Sequence, residues 1–371
     1  RPAISIRNTG SWTFGSPSVL MMFHRSLGTL NAELTAMNEC MPHYYRITQG
    51  HGQGAELLMN AEAAFMQGNF SDAQILLEQT YSTIASNGQH NISLCCDFLA
   101  ARLSLFQDGV TFVKNPEAKR KELLSLHNMM WLNIFDSTYA YYYALTGMPE
   151  KIPALFKDHM LSTVSFLAPC RPMMEMIENQ VFLSQKMYAK VIGRSETLLP
   201  VCEKMHYELV SLHIQIQTAA AYAMLGKHLD AQLLLQKTLG KAMPDSFLIP
   251  FVENYNYIKD VLNSINSMTP EPFTDRIISL GSVYEQHCLR LSSHNSRPEI
   301  LNVLNSREAE IAALITNRLS NREIAERLFL SEGTVKQYIN QIYSKLMING
   351  DTRTKRKQLA ELISSINKSS T

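Results

Sequence analysis

The last seventy residues of the chain carry its most regular alternation of hydrophobic and polar positions, and they predict three short helices. In the third, at about 100° per residue, four apolar side chains fall on one stripe about 60° wide. These apolar residues are Val335, Ile339, Ile342 and Leu346. The opposite side carries Gly333, Lys336, Gln337, Asn340, Gln341 and Ser344. The pattern predicts a helix anchored to a core by one face, with its polar face turned outward.

Each of the three predicted helices begins with a capping signal. Asn305 stands three residues before Glu308, and Ser320 stands three residues before Glu323. Both spacings are those of a capping box, in which side chain and backbone satisfy each other's free groups. Ser331 opens the third helix as a Ser N-cap. The sequence therefore fixes where each helix starts.

The second and third helices form a predicted helix-turn-helix. The second helix, 321–328, would bury Ile324, Ala325 and Leu328. Only three residues, 329–331, separate it from the third. The third helix is slim enough to enter the major groove of DNA with its amide, hydroxyl and cationic side chains. Polar-faced amphipathic helices are common, so this periodicity alone leaves open an ordinary solvent-facing helix.

The order of residues in this segment resembles the LuxR-type (GerE-type) DNA-binding domain of bacterial regulators. The resemblance covers roughly residues 303–368. The matching positions are Leu304, Arg307, Glu308, Ser320, Asn321, Glu323, Ile324, Ala325, Leu328, Ser331, Thr334, Val335, Lys336, Ile342, Tyr343, Lys345, Leu346 and Arg353. The family usually has Gly where Arg318 and Met347 stand. Several relatives have a basic residue at Asn340, so the base preference stays open.

The resemblance implies which residues contact DNA. Lys336, Gln337 and Asn340 would face base edges, where Lys suits guanine and an amide suits adenine. Ser331 and Thr334, at the helix start, would approach phosphate oxygens. Lys345 and Arg353 would contact the DNA backbone, or they simply solvate the surface.

The resemblance also implies a homodimer on DNA, formed through the last helix, and hence a two-fold symmetric operator. The candidate dimerisation residues are Leu359, Leu362, Ile363 and Ile366. Covering the core of the domain is the alternative role for this apolar stripe. Promoter DNA and RNA polymerase are the partners expected of such a regulator.

The preceding residues predict helices in which a short phrase recurs: a helix end, a Gly, a few residues and a second helix. The glycines are Gly68, Gly147, Gly193 and Gly226, with a weaker copy at Gly109. Gly supplies the left-handed turn between antiparallel helices. The phrases resemble degenerate tetratricopeptide repeats, so a helical-repeat solenoid is expected over 56–290. An irregular all-α domain is the alternative.

A repeat solenoid before a LuxR-type domain resembles the C-terminal half of MalT-like regulators. In that family an ATPase module precedes the solenoid, and the solenoid binds an effector. The chain starts at Arg1-Pro2 without Met and is expected to be a C-terminal piece of a longer protein. It has no Gly-x-x-x-x-Gly-Lys-[Ser/Thr] motif, so no cofactor is predicted in this chain and ATP would belong to an upstream domain.

Charge and cysteine content agree with this interpretation. Residues 304–371 contain 11 Lys and Arg against 7 Asp and Glu, a net charge of +4, while the whole chain carries only +1. The positive segment therefore coincides with the helix-turn-helix, as phosphate binding requires. Six scattered cysteines and no apolar run long enough to span a membrane predict a reduced, cytoplasmic protein without membrane contact.

Candidate small-molecule sites are weaker. Trp131, Tyr139 and Tyr142 belong to an aromatic cluster that would line an effector site or simply pack between helices. Cys202 and His213 would share a helical face with His206, but a fourth ligand is missing, so no metal site is predicted. No catalytic constellation is legible, and the protein is not expected to be an enzyme.

The sequence thus predicts an all-α protein with four parts. They are a segment packing on the solenoid at 1–55, a repeat sensor at 56–290, a linker at 291–303 and a four-helix LuxR-type domain at 304–371. The predicted function is transcriptional regulation with effector or partner sensing. The alternatives are a protein-docking scaffold tethered to DNA, or the output half of an ATP-dependent STAND-type switch.

Overall fold

The computed structural model describes residues 16–85, 89–107, 110, 112, 116–164, 166–295, 304–316, 319–346, 348, 350–351 and 354–359. Throughout these residues the regular structure is helical, which confirms the all-α prediction. The α-helices are α1 (Val19–Phe23), α2 (Leu30–Ile47), α3 (Ala55–Met66), α4 (Phe70–Ile84), α5 (His90–Leu103), α6 (Pro116–Ser125), α7 (Met129–Leu145), α8 (Ala154–Lys157), α9 (Arg171–Ser184), α10 (Tyr188–Met205), α11 (Glu208–Met224), α12 (His228–Ala242), α13 (Ile249–Val252), α14 (Tyr255–Met268), α15 (Pro272–Asn295), α16 (Ser306–Thr316), α17 (Asn321–Leu328) and α18 (Glu332–Lys345). The chain divides into two compact units, unit 1 (residues 1–289) and unit 2 (residues 290–371).

Unit 1 is built from helices that alternate between deeply buried and half-exposed. Twelve of the seventeen residues of α11 are buried, against five of the fifteen in α12. Helices α3, α5, α7 and α9 are buried on most faces like α11, whereas α4 and α10 bury a single stripe. Sequential helices pack together, as in α3 with α4 and α11 with α12. Helical hairpins of this kind are what the repeat pattern predicts, and the tetratricopeptide-like assignment itself stays a prediction.

Two of the predicted glycine turns illustrate how the hairpins are made. Gly68 has a φ of +79° between α3 and α4, and Gly226 has a φ of +74° between α11 and α12. An L side chain adopts this left-handed conformation only at a cost. The prediction at Gly193 is wrong, because α10 runs straight through that residue. The turn before α10 instead uses Lys186, with a φ of +61°.

The predicted linker at 291–303 begins inside a helix, because α15 continues to Asn295. The Ser, His and Asn residues that suggested a linker are polar but contain no helix breaker before Pro298. Residues 296–303 lie outside the described residues, as does Gly109. Across the part of the chain that the structure describes, no helix is long and apolar enough to cross a membrane.

A buried polar cluster lies at the centre of unit 1. Arg102 on α5 donates from Nε to Glu253 Oε1 at 2.7 Å and from Nη2 to Glu253 Oε2 at 3.0 Å. The Tyr141 hydroxyl on α7 donates to the same carboxylate at 2.9 Å. All three side chains are almost completely buried. The pair is bidentate, and the carboxylate also accepts from Tyr141, which is the kind of arrangement that allows a charge to be buried.

Candidate nucleic-acid interface

Unit 2 has its own hydrophobic core, to which α16, α17 and α18 each contribute one face. The buried apolar residues of this core are Leu304, Ala309, Ile311, Ala312, Leu314, Ile315, Ile324, Ala325, Leu328, Val335, Ile339, Ile342, Tyr343, Ile348 and Leu359. Helix α18 packs against both α16 and α17. Its position is therefore set by two neighbours, and its outward face is held in one orientation.

Both predicted capping boxes are present. The Glu308 N–H donates to Asn305 Oδ1 at 2.8 Å, and the Asn305 N–H donates back to Glu308 Oε2 at 2.8 Å. Ser320 and Glu323 make the same reciprocal pair at the start of α17. At the start of α18 the Ser331 Oγ accepts from the backbone N–H three residues later. All three predicted helix starts are confirmed.

The two faces of α18 also match the prediction. Val335, Ile339 and Ile342 are buried at 0, 5 and 0% exposure. On the other side an exposed polar row is formed by Gly333, Lys336, Gln337, Asn340, Gln341 and Ser344. Lys336 and Gln337 make no hydrogen bond or ion pair with any described residue, so their polar groups are available to a ligand.

The turn between α17 and α18 is tightly fixed. Phe329 ends α17 with a φ of +53°, and the Leu330 N–H donates to the Ala325 carbonyl at 2.9 Å. Arg307 on α16 reaches across to donate to the Leu328 carbonyl at 2.8 Å. The Phe329 ring is 95% exposed at this turn. The bound carbonyl and the left-handed residue set the angle at which α18 leaves α17.

Two cationic side chains of unit 2 have structural partners, and one of them, Lys345, is a predicted DNA-contact residue. Lys345 Nζ lies 2.7 Å from Glu308 Oε2, so its charge is used to join α18 to α16. Arg356 donates to Asn321 Oδ1 at 2.9 Å and also to the Leu319 carbonyl. Sequence reasoning missed both contacts, because they join residues 35 to 37 positions apart. The phosphate role proposed for Lys345 therefore competes with an ion pair inside the domain.

The other residues predicted to contact DNA or to form the dimer differ in their surroundings. Ser331 and Thr334 face each other, with their hydroxyl oxygens 2.8 Å apart, so both take part in the cap of α18. Leu359 is fully buried in the core, which is the alternative role stated from the sequence, so its side chain is not on the surface that a second copy would meet. Arg353, Leu362, Ile363 and Ile366 lie outside the described residues.

The geometry of unit 2 agrees with comparison to known proteins. Residues 302–356 match the family model described as "Bacterial regulatory proteins, luxR family". This segment is a LuxR-type helix-turn-helix domain. The match ends before the candidate dimerisation residues, the first of which is Leu359, and includes none of the residues of unit 1.

Two curated relatives share sequence with the chain. The transcriptional regulatory protein LnrK of Bacillus subtilis (strain 168) is 42% identical over 57 residues, which is 15% of this chain and 26% of the relative. The transcriptional regulatory protein DegU of Brevibacillus brevis is 28% identical over 141 residues, 38% of this chain and 52% of the relative. The chain thus spans between a quarter and about half the length of these relatives. No solved structure matches the chain.

The aromatic effector candidates fall in different places. Tyr139 lines a cavity of about 480 Å³ between α6, α7 and the start of α8, together with Phe135 and the Arg120–Asp136 ion pair. Trp131 does not line it, and its indole N–H donates to Asn91 Oδ1 at 2.5 Å. Tyr142 packs on other aromatic rings outside the cavity lining. Of the three predicted residues, only Tyr139 lines this cavity.

The helical face proposed for Cys202, His206 and His213 does not exist. Cys202 belongs to α10, His206 ends that helix with a left-handed φ of +53°, and His213 lies on α11. The chain reverses direction between the two histidines. Within the described residues, no group of three or more His, Cys, Asp or Glu side chains is arranged to hold a metal ion.

Proposed function

We propose that this protein is a transcriptional regulator that inserts α18 into the major groove of promoter DNA. The observation that supports this most directly is the exposed polar row of α18, with Lys336 and Gln337 unpaired, on a helix whose opposite face is locked into the core. A recognition helix needs both properties, because base contacts specify sequence only when the helix is held rigidly.

Each group in the row suits a distinct DNA contact. The Lys336 ammonium can donate to guanine O6 and N7, and the Gln337 and Asn340 amides can bridge adenine N6 and N7. The N-terminal turn of α18 presents backbone N–H groups beside Ser331, which suits a phosphate oxygen. In this proposal two copies bind a two-fold symmetric operator, and RNA polymerase is the downstream partner. The proposed location of the protein is the cytoplasm.

The proposal is tested by measuring binding of the full chain and of residues 300–371 to duplex DNA across a salt series. With about four to six phosphates neutralised per copy, log K against log salt should fall with a slope of about −4 to −5. A control variant of the full chain is Lys237→Ala, which removes an exposed positive charge from unit 1. It should leave the slope of log K against log salt unchanged. A flat salt response would contradict the DNA-binding proposal.

We further propose that unit 1 receives the regulatory signal. Unit 1 has more than three times as many residues as unit 2, and it contains a cavity with aromatic and charged walls. Any effector must bind one state of the protein more tightly than another, since equal affinity for both states leaves their populations unchanged. Residues 300–371 alone should therefore bind the operator without an inducer, and effector binding should survive removal of 304–371. Loss of effector binding in a folded unit 1 would contradict this division.

A further inference from the structure

The cavity of about 480 Å³ in unit 1 lies over an aromatic stripe of α7. Phe135, Tyr139 and Tyr143 form this stripe, and they share one face of the helix because they are four residues apart. The walls come from α6, from the short 3-10 helix Pro149–Lys151 and from the start of α8, which all pack on α7. The volume falls within the roughly 300–1,000 Å³ that small-molecule sites occupy.

Four charged side chains line the cavity, and two of them are paired with each other. Arg120 donates from Nε to Asp136 Oδ1 at 3.0 Å and from Nη2 to Asp136 Oδ2 at 3.1 Å. This bidentate pair engages both carboxylate oxygens of Asp136, whose side chain is 4% exposed. The other two, Glu117 and Lys151, make no hydrogen bond or ion pair with any described residue. The cavity therefore has one negative and one positive group available to a ligand.

These two groups belong to different parts of the wall. Glu117 lies on α6, and its charge acts on the groups around it. Burial raises the pKa of Asp136 and of Tyr143, and Glu117 raises both further, although Arg120 lowers that of Asp136. Lys151 belongs instead to the 3-10 helix. Among the lining side chains, two carboxylates and one guanidinium thus leave the α6 and α7 side negative, while Lys151 makes the opposite contribution.

The main chain fixes Lys151 relative to the aromatic stripe. The Met148 N–H donates to the Tyr143 carbonyl at 2.9 Å, and the Lys151 N–H donates to the Met148 carbonyl at 3.1 Å. The Lys157 ammonium donates to the Glu150 carbonyl at 3.1 Å, which ties the 3-10 helix to α8. The separation of charge in the wall therefore exists before any ligand binds, which reduces the cost of ordering the site.

Burial sets the direction in which a ligand would enter. Phe135 and Tyr139 are 1 and 3% exposed, whereas Glu117 and Lys151 are both exposed. The aromatic stripe is thus the inner part of the cavity, and the two charges lie at its mouth. This arrangement suits a molecule with a flat apolar body at one end and both charges at the other.

We propose that this cavity binds a free aromatic amino acid, with its ring on the α7 stripe, its ammonium toward Glu117 and its carboxylate toward Lys151. A zwitterion complements both charges at once. An anion would face Glu117 with like charge, and a cation would face Lys151 in the same way. This inference rests on the proposed function in assigning signal reception to unit 1, and it names the chemical class of the effector.

Calorimetric titration of the full chain with L-phenylalanine, L-tyrosine and L-tryptophan tests the proposal. Low ionic strength is used, because salt screens exposed charges. We expect saturable binding, and the tightest binder is then compared with its N-acetyl derivative, which lacks the ammonium, and its amide, which lacks the carboxylate. Each derivative should bind about tenfold more weakly. No DNA is present, so failure of this assay leaves the DNA-binding proposal standing.

Two variants assign each charge of the ligand to its partner. Lys151→Met should weaken binding of the amino acid about fivefold and leave binding of the amide unchanged. Glu117→Gln should weaken the amino acid to a similar extent and leave binding of the N-acetyl derivative unchanged. The matched controls are Lys121→Met and Glu122→Gln, which change exposed α6 side chains outside the cavity lining and should bind like the parent.

A third variant tests the location. Ala154 lines the cavity and is exposed, so Ala154→Phe narrows the cavity without removing a buried contact. It should keep the helical circular dichroism of the parent and lose binding.

Three results would overturn the proposal. The first is the absence of saturable binding for all three amino acids at millimolar concentration. The second is equal affinity for the amino acid and either derivative, since the site would then not recognise a zwitterion. The third is unchanged binding in Ala154→Phe, which would place the ligand outside this cavity.

Discussion

Lys345 Nζ and Glu308 Oε2 are 2.7 Å apart and join the last turn of α18 to the first turn of α16. The Glu308 side chain is only 1% exposed, and it also accepts the Asn305 N–H. Burial raises the pKa of the Glu308 carboxyl, but the hydrogen bonds from Lys345 and Asn305 outweigh burial, so the pKa lies below its ordinary value of 4.5. The same carboxylate therefore caps one helix and anchors the recognition helix.

Lys345→Ala should lower the free energy of unfolding of residues 300–371 by about 1–2 kcal/mol, because Glu308 then loses its charged partner. Urea denaturation measures this loss. Lys336→Ala, which removes a lysine from the same helix without a partner, should leave stability within about 0.5 kcal/mol. Since the Glu308 pKa is depressed, its contribution is present above pH 4.5 and is lost as pH falls through the folded pKa. Equal stability of the two variants at pH 7 would show that the ion pair contributes nothing.

Lys336→Ala and Gln337→Ala should each reduce the preference for the cognate operator by roughly 1–3 kcal/mol and leave non-specific binding nearly intact. The reason is that both side chains lie on the exposed face of α18 and have no protein partner to release. Competition binding with operator and scrambled duplexes measures the preference. Lys345→Ala, assayed under conditions in which it is fully folded, should weaken binding to both duplexes alike if the Lys345 charge also contacts phosphate. Identical behaviour of all three variants would reject this division of contacts.

Phe329→Gly should stabilise residues 300–371 by about 0.5–1 kcal/mol, because Gly adopts a left-handed φ without the cost that a side chain pays. Little burial is lost, since the Phe329 ring is 95% exposed. Thermal denaturation of the two forms measures the gain. Phe329→Ala keeps the strained backbone and serves as the control, with no gain expected. If Phe329→Ala stabilised the domain as much as Phe329→Gly, the gain would come from removing the exposed ring rather than from relieving the left-handed backbone.

Unit 1 should be less stable at alkaline than at mildly acidic pH. Burial raises the pKa of Glu62 to about 7, despite hydrogen bonds and Arg102 that lower it. A raised carboxyl pKa gives stability that is present below pH 4.5 and is lost as pH rises through about 7. Glu62→Gln should remove this loss and be more stable than the parent at pH 8 by roughly 2–3 kcal/mol.

The control for Glu62 is Asp97→Asn. Burial also raises the pKa of Asp97, to about 6, while a hydrogen bond from Tyr81 lowers it. Asp97→Asn should still lose stability as the pH rises to about 7, because Glu62 is unchanged in this variant. The comparison is made by urea denaturation at pH 5.5 and pH 8. If Glu62→Gln loses as much stability as the parent between pH 5.5 and pH 8, the loss at alkaline pH arises from another group.

The parts of the structure that were predictable from sequence are those governed by near neighbours. The capping pair Asn305 and Glu308 is three residues apart, and the apolar stripe of α18 repeats every turn, so both could be found in the chain itself. Gly68 was predictable because a left-handed turn favours one residue type. At Gly193 the same rule failed, since glycine is also tolerated inside a helix.

The remaining features depend on residues that are distant in sequence. The burial of Leu20 depends on α3 and α11, whereas Pro17 and the glycines before it predicted only an irregular segment packing on the solenoid. The resemblance assigned Lys345 to the DNA backbone or to the solvated surface, while its partner Glu308 stands 37 residues earlier. No local pattern distinguishes a lysine that faces solvent from one that crosses to another helix.

The Arg102–Glu253 ion pair has a consequence for how unit 1 folds. Linear arrays of helical hairpins unfold gradually from their ends, since each hairpin contacts only its neighbours. Here a buried charge near the start of the array is neutralised by a residue 151 positions later. Removing the last hairpins would leave the Arg102 guanidinium buried without its counter-ion. Shortened forms should therefore unfold completely rather than lose stability in steps. Such a distant closing contact also favours slow, all-or-none folding over assembly one hairpin at a time.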